Sequence, residues 1–209
     1  MEFLKNSFKA GITLLVMFLS LSVFSQEPTV LVESFKKSYE FEAKGDFKKA
    51  ADEMKINYSA GSYEINIRLG WLQYNAGLFD ESAAYYNTAL TLKPYSEEAK
   101  FGLINPKAAQ GKWTEVISLY DKILEINSSN TTANYRLGLI YYGQKDYTKS
   151  SKYFEKVINL YPFNYESLLM LGWSNFFLGK TREAKILFYK VLMYKPNDES
   201  ATEGLALIK

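Results

Sequence analysis

Apolar residues recur along the chain with a helical spacing that breaks at regular points. Between Thr131 and Asp198 one pattern is written twice, since the pair Leu137-Gly138 returns 34 positions later as Leu171-Gly172. Three further residues are each followed, 34 positions later, by a residue of the same type: Phe154, Val157 and Pro162. A fixed period of about 20–50 residues predicts a stack of repeated units, each of which buries its apolar face against the next.

We predict five helical hairpins followed by a short closing helix. A glycine marks the turn inside several hairpins, and a proline stops several of the second helices. In chain order the predicted units and the closing helix cover residues 31–62, 63–96, 97–130, 131–164, 165–198 and 199–209. A residue that can cap a helix precedes the first helix of every unit after the opening one and the closing helix: Ser62, Ser96, Asn130, Asn164 and Asp198.

The third unit departs from the pattern inside its first helix. Pro106 follows Gly102 by four residues, and a helical proline clashes with the carbonyl of the residue four positions before it. We therefore expect a kink, which is consistent either with a drifting repeat or with a hinge that widens a groove.

The N-terminus has the pattern of a secretory signal. Lys5 and Lys9 precede an apolar run over residues 10–24, and Val23 and Ser25 suit positions −3 and −1 of a cleavage site after Ser25. The run is short for a membrane span, which takes about 20 residues. We expect residues 1–25 to be a cleaved signal rather than a retained anchor, residues 26–209 to form the repeat domain, and the protein to be exported, most simply to a bacterial periplasm.

Composition excludes several classes of chemistry. The chain has no cysteine and no histidine, which removes thiol nucleophiles, disulfides, Ser-His catalysis and His-ligated metals. Lys and Arg total 25 against 23 acidic residues, and no clustered basic stripe of the kind that binds nucleic acid is visible. We predict no cofactor, no catalytic residue, no metal site, no nucleic-acid partner and no membrane insertion after signal cleavage.

The repeated residues resemble the tetratricopeptide repeat. That family has a large residue at position 4 of a 34-residue unit, Leu-Gly at positions 7 and 8, glycine at 15, aromatics at 17 and 24, alanine at 27, and proline at 32. The unit from Tyr63 matches with Leu69, Gly70, Gly77, Phe79, Tyr86, Ala89 and Pro94, and the units from Thr131 and Tyr165 match similarly. Departures from the pattern are Asn66, Lys100 and Asn134 at position 4, Ile104 at position 8, Ser128 at position 32 and Lys145 at position 15. The resemblance implies an all-α fold, an α-solenoid of about five such hairpins with a C-terminal capping helix.

In that family, certain positions of the first helix in each hairpin line a concave ligand-binding face. Carried over to this chain, the resemblance implies a groove formed by Phe35, Tyr39, Arg68, Trp71, Tyr74, Asn75, Phe101, Asn105, Tyr135, Arg136, Tyr142, Trp173, Phe176 and Phe177. Aromatic side chains and arginines suit a peptide with apolar anchors and a carboxylate. The alternative is that these rings pack against neighbouring helices and that the arginines are solvated or ion-paired.

Three functions are compatible with this pattern. The first is a non-catalytic scaffold of the bacterial cell envelope that binds a partner protein or peptide in the groove. The second is a self-assembling component of an envelope complex, for instance a homo-oligomer. The third is a carboxylate-dependent enzyme that uses Asp80 and Glu81, although acids at a helix start favour the helix dipole in any case.

Overall fold

The computed structural model describes residues 28–208, and within this range every regular element is a helix. The expected signal segment lies outside the described residues. The helices are α1 Pro28–Glu42, α2 Phe47–Ile56, α3 Tyr63–Asn75, α4 Phe79–Leu92, α5 Glu97–Ala109, α6 Trp113–Ile126, α7 Thr131–Gly143, α8 Tyr147–Leu160, α9 Tyr165–Phe177, α10 Thr181–Tyr194 and α11 Glu199–Leu207. None of these described helices is both long enough and apolar enough to cross a membrane.

Each helix packs against the next one in the chain, so that five hairpins stack in order and α11 covers the last of them. The first helices of neighbouring hairpins also meet: α3 contacts α5, and α9 contacts both α7 and α11. Helices α5 and α7 make at most marginal contact, and the joint between α6 and α7 is the thinnest between consecutive hairpins. The predicted fold class, an α-solenoid of helical hairpins with a capping helix, is confirmed.

The turn inside each hairpin needs a left-handed backbone. Four of the five turns place a glycine there, with φ between 70° and 78°: Gly45, Gly77, Gly111 and Gly179. In the fourth hairpin Lys145 takes the same conformation, with φ of 61°. A side chain costs about 1 kcal/mol or more in this region, so the turn geometry is imposed by the helices on either side.

Side-chain capping defines where the first helices begin. The five predicted caps are confirmed, because each side-chain oxygen accepts from the backbone N–H three residues later: Ser62, Ser96, Asn130, Asn164 and Asp198. Asp46 and Asp146 cap α2 and α8 in the same way, which the sequence analysis did not predict.

The polar residues at position 4 tie each first helix to the loop before it. Asn66 donates to the carbonyls of Ala60 and Ser62, at 3.2 and 2.7 Å. Asn134 bonds in the same way to Ser128 and Asn130. Lys100 is buried, donates to the carbonyl of Pro94, and has its pKa lowered mainly by this burial. These departures at position 4 therefore stabilise the connections between hairpins.

Aromatic rings fill the space between hairpins, and glycines make room for them. A Cβ added to Gly70 would lie 2.8 Å from the buried ring of Tyr86, and one added to Gly102 would lie 2.1 Å from the other side of that ring. Phe188 is held in the same way between Gly172 and Gly204, where the distances are 2.8 and 2.4 Å. Such contacts leave no room for even one methyl group.

The third hairpin lacks both glycines around its own ring. Tyr120, the residue equivalent to Tyr86 and Phe188, has Ile104 in the first glycine position and Arg136 in the second. Helix α5 runs unbroken through Pro106, which is buried. Gly102, which the sequence analysis connected with a bend, admits the ring of Tyr86.

Candidate functional site

The surface formed by the first helices of the hairpins contains three adjoining hollows. The central hollow, of about 630 Å³, lies between α5, α6 and α7 and is lined by Ile104, Asn105, Ala108, Trp113, Val116, Tyr120, Arg136, Leu139, Ile140, Gly143 and Gln144. The N-terminal hollow, of about 440 Å³, shares Ile104, Asn105, Tyr120 and Arg136 with it and adds Ile67, Trp71, Tyr86, Glu98, Phe101, Gly102 and Thr132. The C-terminal hollow, of about 460 Å³, is lined by Thr131, Thr132, Tyr135, Arg136, Leu139, Val157, Asn164, Glu166 and Ser167.

The central hollow exists because the third hairpin is loosely joined to the fourth. Glycines let the rings of Tyr86 and Phe188 contact the helices on both sides, whereas Ile104 and Arg136 occupy the equivalent positions on either side of Tyr120. Helices α5 and α7 make at most marginal contact, as do α1 and α3. The space beside Tyr120 is open to a ligand.

Arg136 is the residue common to all three hollows. Its side chain is exposed, and no carboxylate of residues 28–208 lies within ion-pair distance of it. Burial raises the pKa of the neighbouring Tyr120 hydroxyl, and the positive charge of Arg136 opposes that rise. The central hollow thus combines an apolar wall with a guanidinium group that is open to a ligand.

Arg68, the other arginine of the predicted groove, is occupied inside the protein. It is buried, forms an ion pair with Glu42, donates two hydrogen bonds to the Ser38 hydroxyl, and lies 3.9 Å from the centre of the Tyr39 ring. Burial alone would raise the pKa of Glu42, but hydrogen bonds from Trp71 and Arg68, together with the charge of Arg68, lower it. The carboxylate therefore stays ionised at neutral pH, and Arg68 joins the first two hairpins.

Five rings form a continuous aromatic cluster where α7 and α9 end. The ring of Phe177 stacks on that of Tyr147 with centroids 4.7 Å apart, and Tyr142, Trp173 and Phe176 surround this pair. The Trp173 indole N–H donates to the Ser200 hydroxyl on α11 at 2.9 Å. Most of this cluster is engaged in packing, and Phe177 is its exposed part.

The remaining predicted groove residues have two kinds of environment. Asn105 is exposed and lines two hollows, and Trp71 is 39% exposed although its indole N–H donates to Glu42. The others make contacts within the array: Phe35 with Tyr39, Tyr74 with Phe79, Asn75 with the Trp71 carbonyl, Phe101 with Tyr120 and Tyr135 with Phe154. The structure thus brings Trp71, Phe101, Asn105, Tyr135 and Arg136 to the hollows and leaves the rest outside them.

Comparison with known protein families assigns the repeat. Tetratricopeptide repeat models match residues 35–97, 131–164 and 165–198, which together make up more than half of the chain. The chain belongs to the tetratricopeptide repeat family. Residues 98–130, which lie between the matched ranges, include most of the third hairpin, the unit that opens the central hollow.

Solved tetratricopeptide repeat structures share the fold. A tetratricopeptide repeat protein from Parabacteroides merdae aligns with a TM-score of 0.72 and 22% identity over 85% of this chain and 72% of its own. The MamA protein aligns at 0.69 with 22% identity over 86% and 98% of the two chains. MamA from Desulfovibrio magneticus RS-1 aligns at 0.68 with 17% identity over 81% and 97%. No curated protein sequence matches the chain. At these identities the likeness concerns the fold.

Sequence reasoning did not find several residues of the tetratricopeptide groove. Trp113, Tyr120 and Gln144 line the central hollow, but they lie on a second helix or in a turn rather than on a first helix. Ile104 was noted only as a departure from glycine. The replacement of glycine by isoleucine was itself the available signal, because a larger residue at a close contact must separate the helices.

The acidic pair considered for catalysis, Asp80 and Glu81, lies at the exposed start of α4. Asp80 accepts a hydrogen bond from the Gln110 amide at 2.7 Å. Within residues 28–208 no cluster of three or more acidic side chains is arranged to hold a metal ion.

Proposed function

We propose that this tetratricopeptide protein is a non-catalytic scaffold that holds a peptide segment of a partner protein along the first helices of its hairpins. The observation that carries the proposal is the central hollow, in which half-buried apolar side chains and the Trp113 ring lie beside an arginine that has no carboxylate partner among the described residues. Apolar pockets with a few polar groups are typical ligand sites, and volumes of about 300–1,000 Å³ are usual for them.

The cell envelope is the proposed place of action. Its support is the N-terminal pattern, in which Lys5 and Lys9 precede the apolar run of residues 10–24. A partner of the scaffold would then belong to the same compartment. An envelope fraction of the source organism is therefore the material in which to look for it.

The proposal is tested by affinity capture from that fraction. We expect the full-length protein to recover a defined partner, and the double variant Asn105→Ala/Arg136→Ala to recover at least tenfold less of it. Both side chains are exposed, so the double variant should have the same melting temperature as the wild type. Arg182→Ala, which removes an exposed arginine on α10, is the matched control and should retain the partner. If the double variant recovers as much partner as the wild type, these hollows are not the binding site.

Self-association is a second candidate function, supported by a separate surface. This outer patch consists of Pro162, Phe163, Ile186, Tyr189, Lys190 and Met193. Phe163 is 68% exposed and Met193 is 75% exposed. Large apolar side chains that cluster on a protein surface in this way usually mark an interface. A second copy of the chain could cover the patch by placing its own patch against it, as in a twofold dimer.

Sedimentation over a wide concentration range tests this second candidate. We expect the wild type to shift from monomer to dimer as concentration rises, and Ile186→Lys/Met193→Lys to remain monomeric over the same range. Both side chains are exposed on α10, so the fold should tolerate the change. If the wild type has a monomeric mass at every concentration, self-association is excluded as a function. If the variant forms the same dimer as the wild type, the interface does not lie on the outer patch.

A further inference from the structure

We infer that the central hollow is a specificity pocket for a large apolar side chain next to an internal aspartate or glutamate of the bound peptide, whose carboxylate pairs with Arg136. This inference rests on the proposed scaffold function and specifies the chemistry of the segment that is bound.

The walls of the central hollow select the apolar side chain. Leu139 and Ile140 are half-buried and contribute accessible aliphatic surface, and Trp113 adds a ring that is 50% exposed. Ile104 and Val116 also line the hollow but are themselves buried. Trp113 is not held in any of the ring pairs of the described chain. A large apolar residue of a partner would cover this surface and remove it from water, which is the main driving force for such contacts.

Charge selects the acidic neighbour. Among the described residues, Arg136 is the only charged one that lines the central hollow, and Asn105 and Gln144 add uncharged hydrogen-bonding groups. Arginine binds a carboxylate through two parallel hydrogen bonds, which fixes the direction of the bound group. Glu98 lines the N-terminal hollow and Glu166 the C-terminal one, so that further acidic residues on either side would be repelled. A single acid with non-acidic flanks fits this arrangement.

The position of Arg136 favours an internal acid over a chain terminus. Because Arg136 lines all three hollows, free space continues from it towards the second hairpin and towards the fifth. A peptide bound at Arg136 can therefore extend in both directions. A terminal carboxylate would leave one of the flanking hollows empty.

A peptide library displayed with its C-terminus fused to the carrier tests the inference, because such peptides offer no free terminal carboxylate. Selection on the full-length protein should enrich sequences with one acidic residue within about three positions of a large apolar residue. A synthetic enriched peptide, acetylated and amidated, should lose about tenfold to hundredfold in affinity for Arg136→Gln. Its own Glu→Gln or Asp→Asn version should lose as much against the wild type, and should lose nothing further against Arg136→Gln.

Gly143→Leu tests the hollow itself without loss of stability. Gly143 lines the hollow on α7, and a Cβ added to it meets nothing within 4 Å. Leucine there should fill part of the hollow, weaken binding at least tenfold and leave the melting temperature no lower than that of the wild type. Ala109→Leu, one unit earlier in the same helix position, is exposed and lines none of the three hollows, so it should bind normally.

The outcomes separate this inference from the function on which it rests. Enriched peptides without an acid, or affinity unchanged by both Arg136→Gln and Gly143→Leu, would overturn the pocket while leaving a peptide scaffold in place. A second library, displayed in the opposite orientation, offers free C-termini. If only this library yields binders, the carboxylate that pairs with Arg136 is a chain terminus and not an internal acid. If neither library yields a binder, the scaffold proposal fails together with the pocket.

Discussion

Phe188→Ala is expected to lower the free energy of unfolding by about 3–5 kcal/mol, the usual cost of removing a buried phenylalanine ring. The ring is fully buried between Gly172 and Gly204 and lies 5.2 Å from the Trp173 ring, measured between centroids. Its removal would leave a cavity among α9, α10 and α11 that the glycines on either side cannot fill.

Chemical denaturation followed by circular dichroism measures this change. Phe163→Ala is the matched control, because Phe163 belongs to the exposed outer patch and its loss should alter stability by less than about 0.5 kcal/mol. A cost below about 1 kcal/mol for Phe188→Ala would contradict the packing of this ring between two hairpins.

Gly102→Ala is expected to destabilise the protein by about 1–3 kcal/mol, although alanine is the better helix former. The added Cβ would lie 2.1 Å from the Tyr86 ring, which is buried and whose opposite edge meets Gly70. The ring cannot move away without entering the space of α3. Steric overlap should therefore outweigh the gain in helix propensity.

A second glycine provides the control for this variant. Gly143→Ala, in the corresponding first helix of the next hairpin, adds a Cβ that meets nothing within 4 Å and should stabilise by up to about 1 kcal/mol. Tyr86→Leu combined with Gly102→Ala should cost less than the sum of the two single changes, since the smaller side chain relieves the overlap. Additive effects, or the same sign for both glycines, would contradict the contact.

Much of the fold could be predicted from the sequence because its determinants are local. A cap such as Ser62 acts three residues away, and the left-handed turn at Gly77 is a property of one backbone position. The 34-residue step then repeats these local rules, and it carries the glycine and ring positions into register.

The site was harder to predict because its determinants are distant from one another. Arg68 and Arg136 occupy the same position of their units, yet Arg68 meets Glu42, 26 residues earlier, whereas Arg136 has no such partner among the described residues. The central hollow depends on two missing glycines, at Ile104 and Arg136, on helices that belong to different units. Neither replacement indicates a pocket until both are placed beside Tyr120.

The thin joint between α6 and α7 has a consequence for how the molecule comes apart. In a linear array, stability is approximately the sum of the contributions of each repeat and of each interface between neighbours, so cooperative unfolding spreads poorly across a weak interface. Residues 28–126 and 131–208 should accordingly exchange their amide hydrogens as two blocks with different protection. A peptide bound between α5 and α7 would supply the contacts that this interface lacks. Peptide binding would therefore couple the two blocks into one cooperative unit.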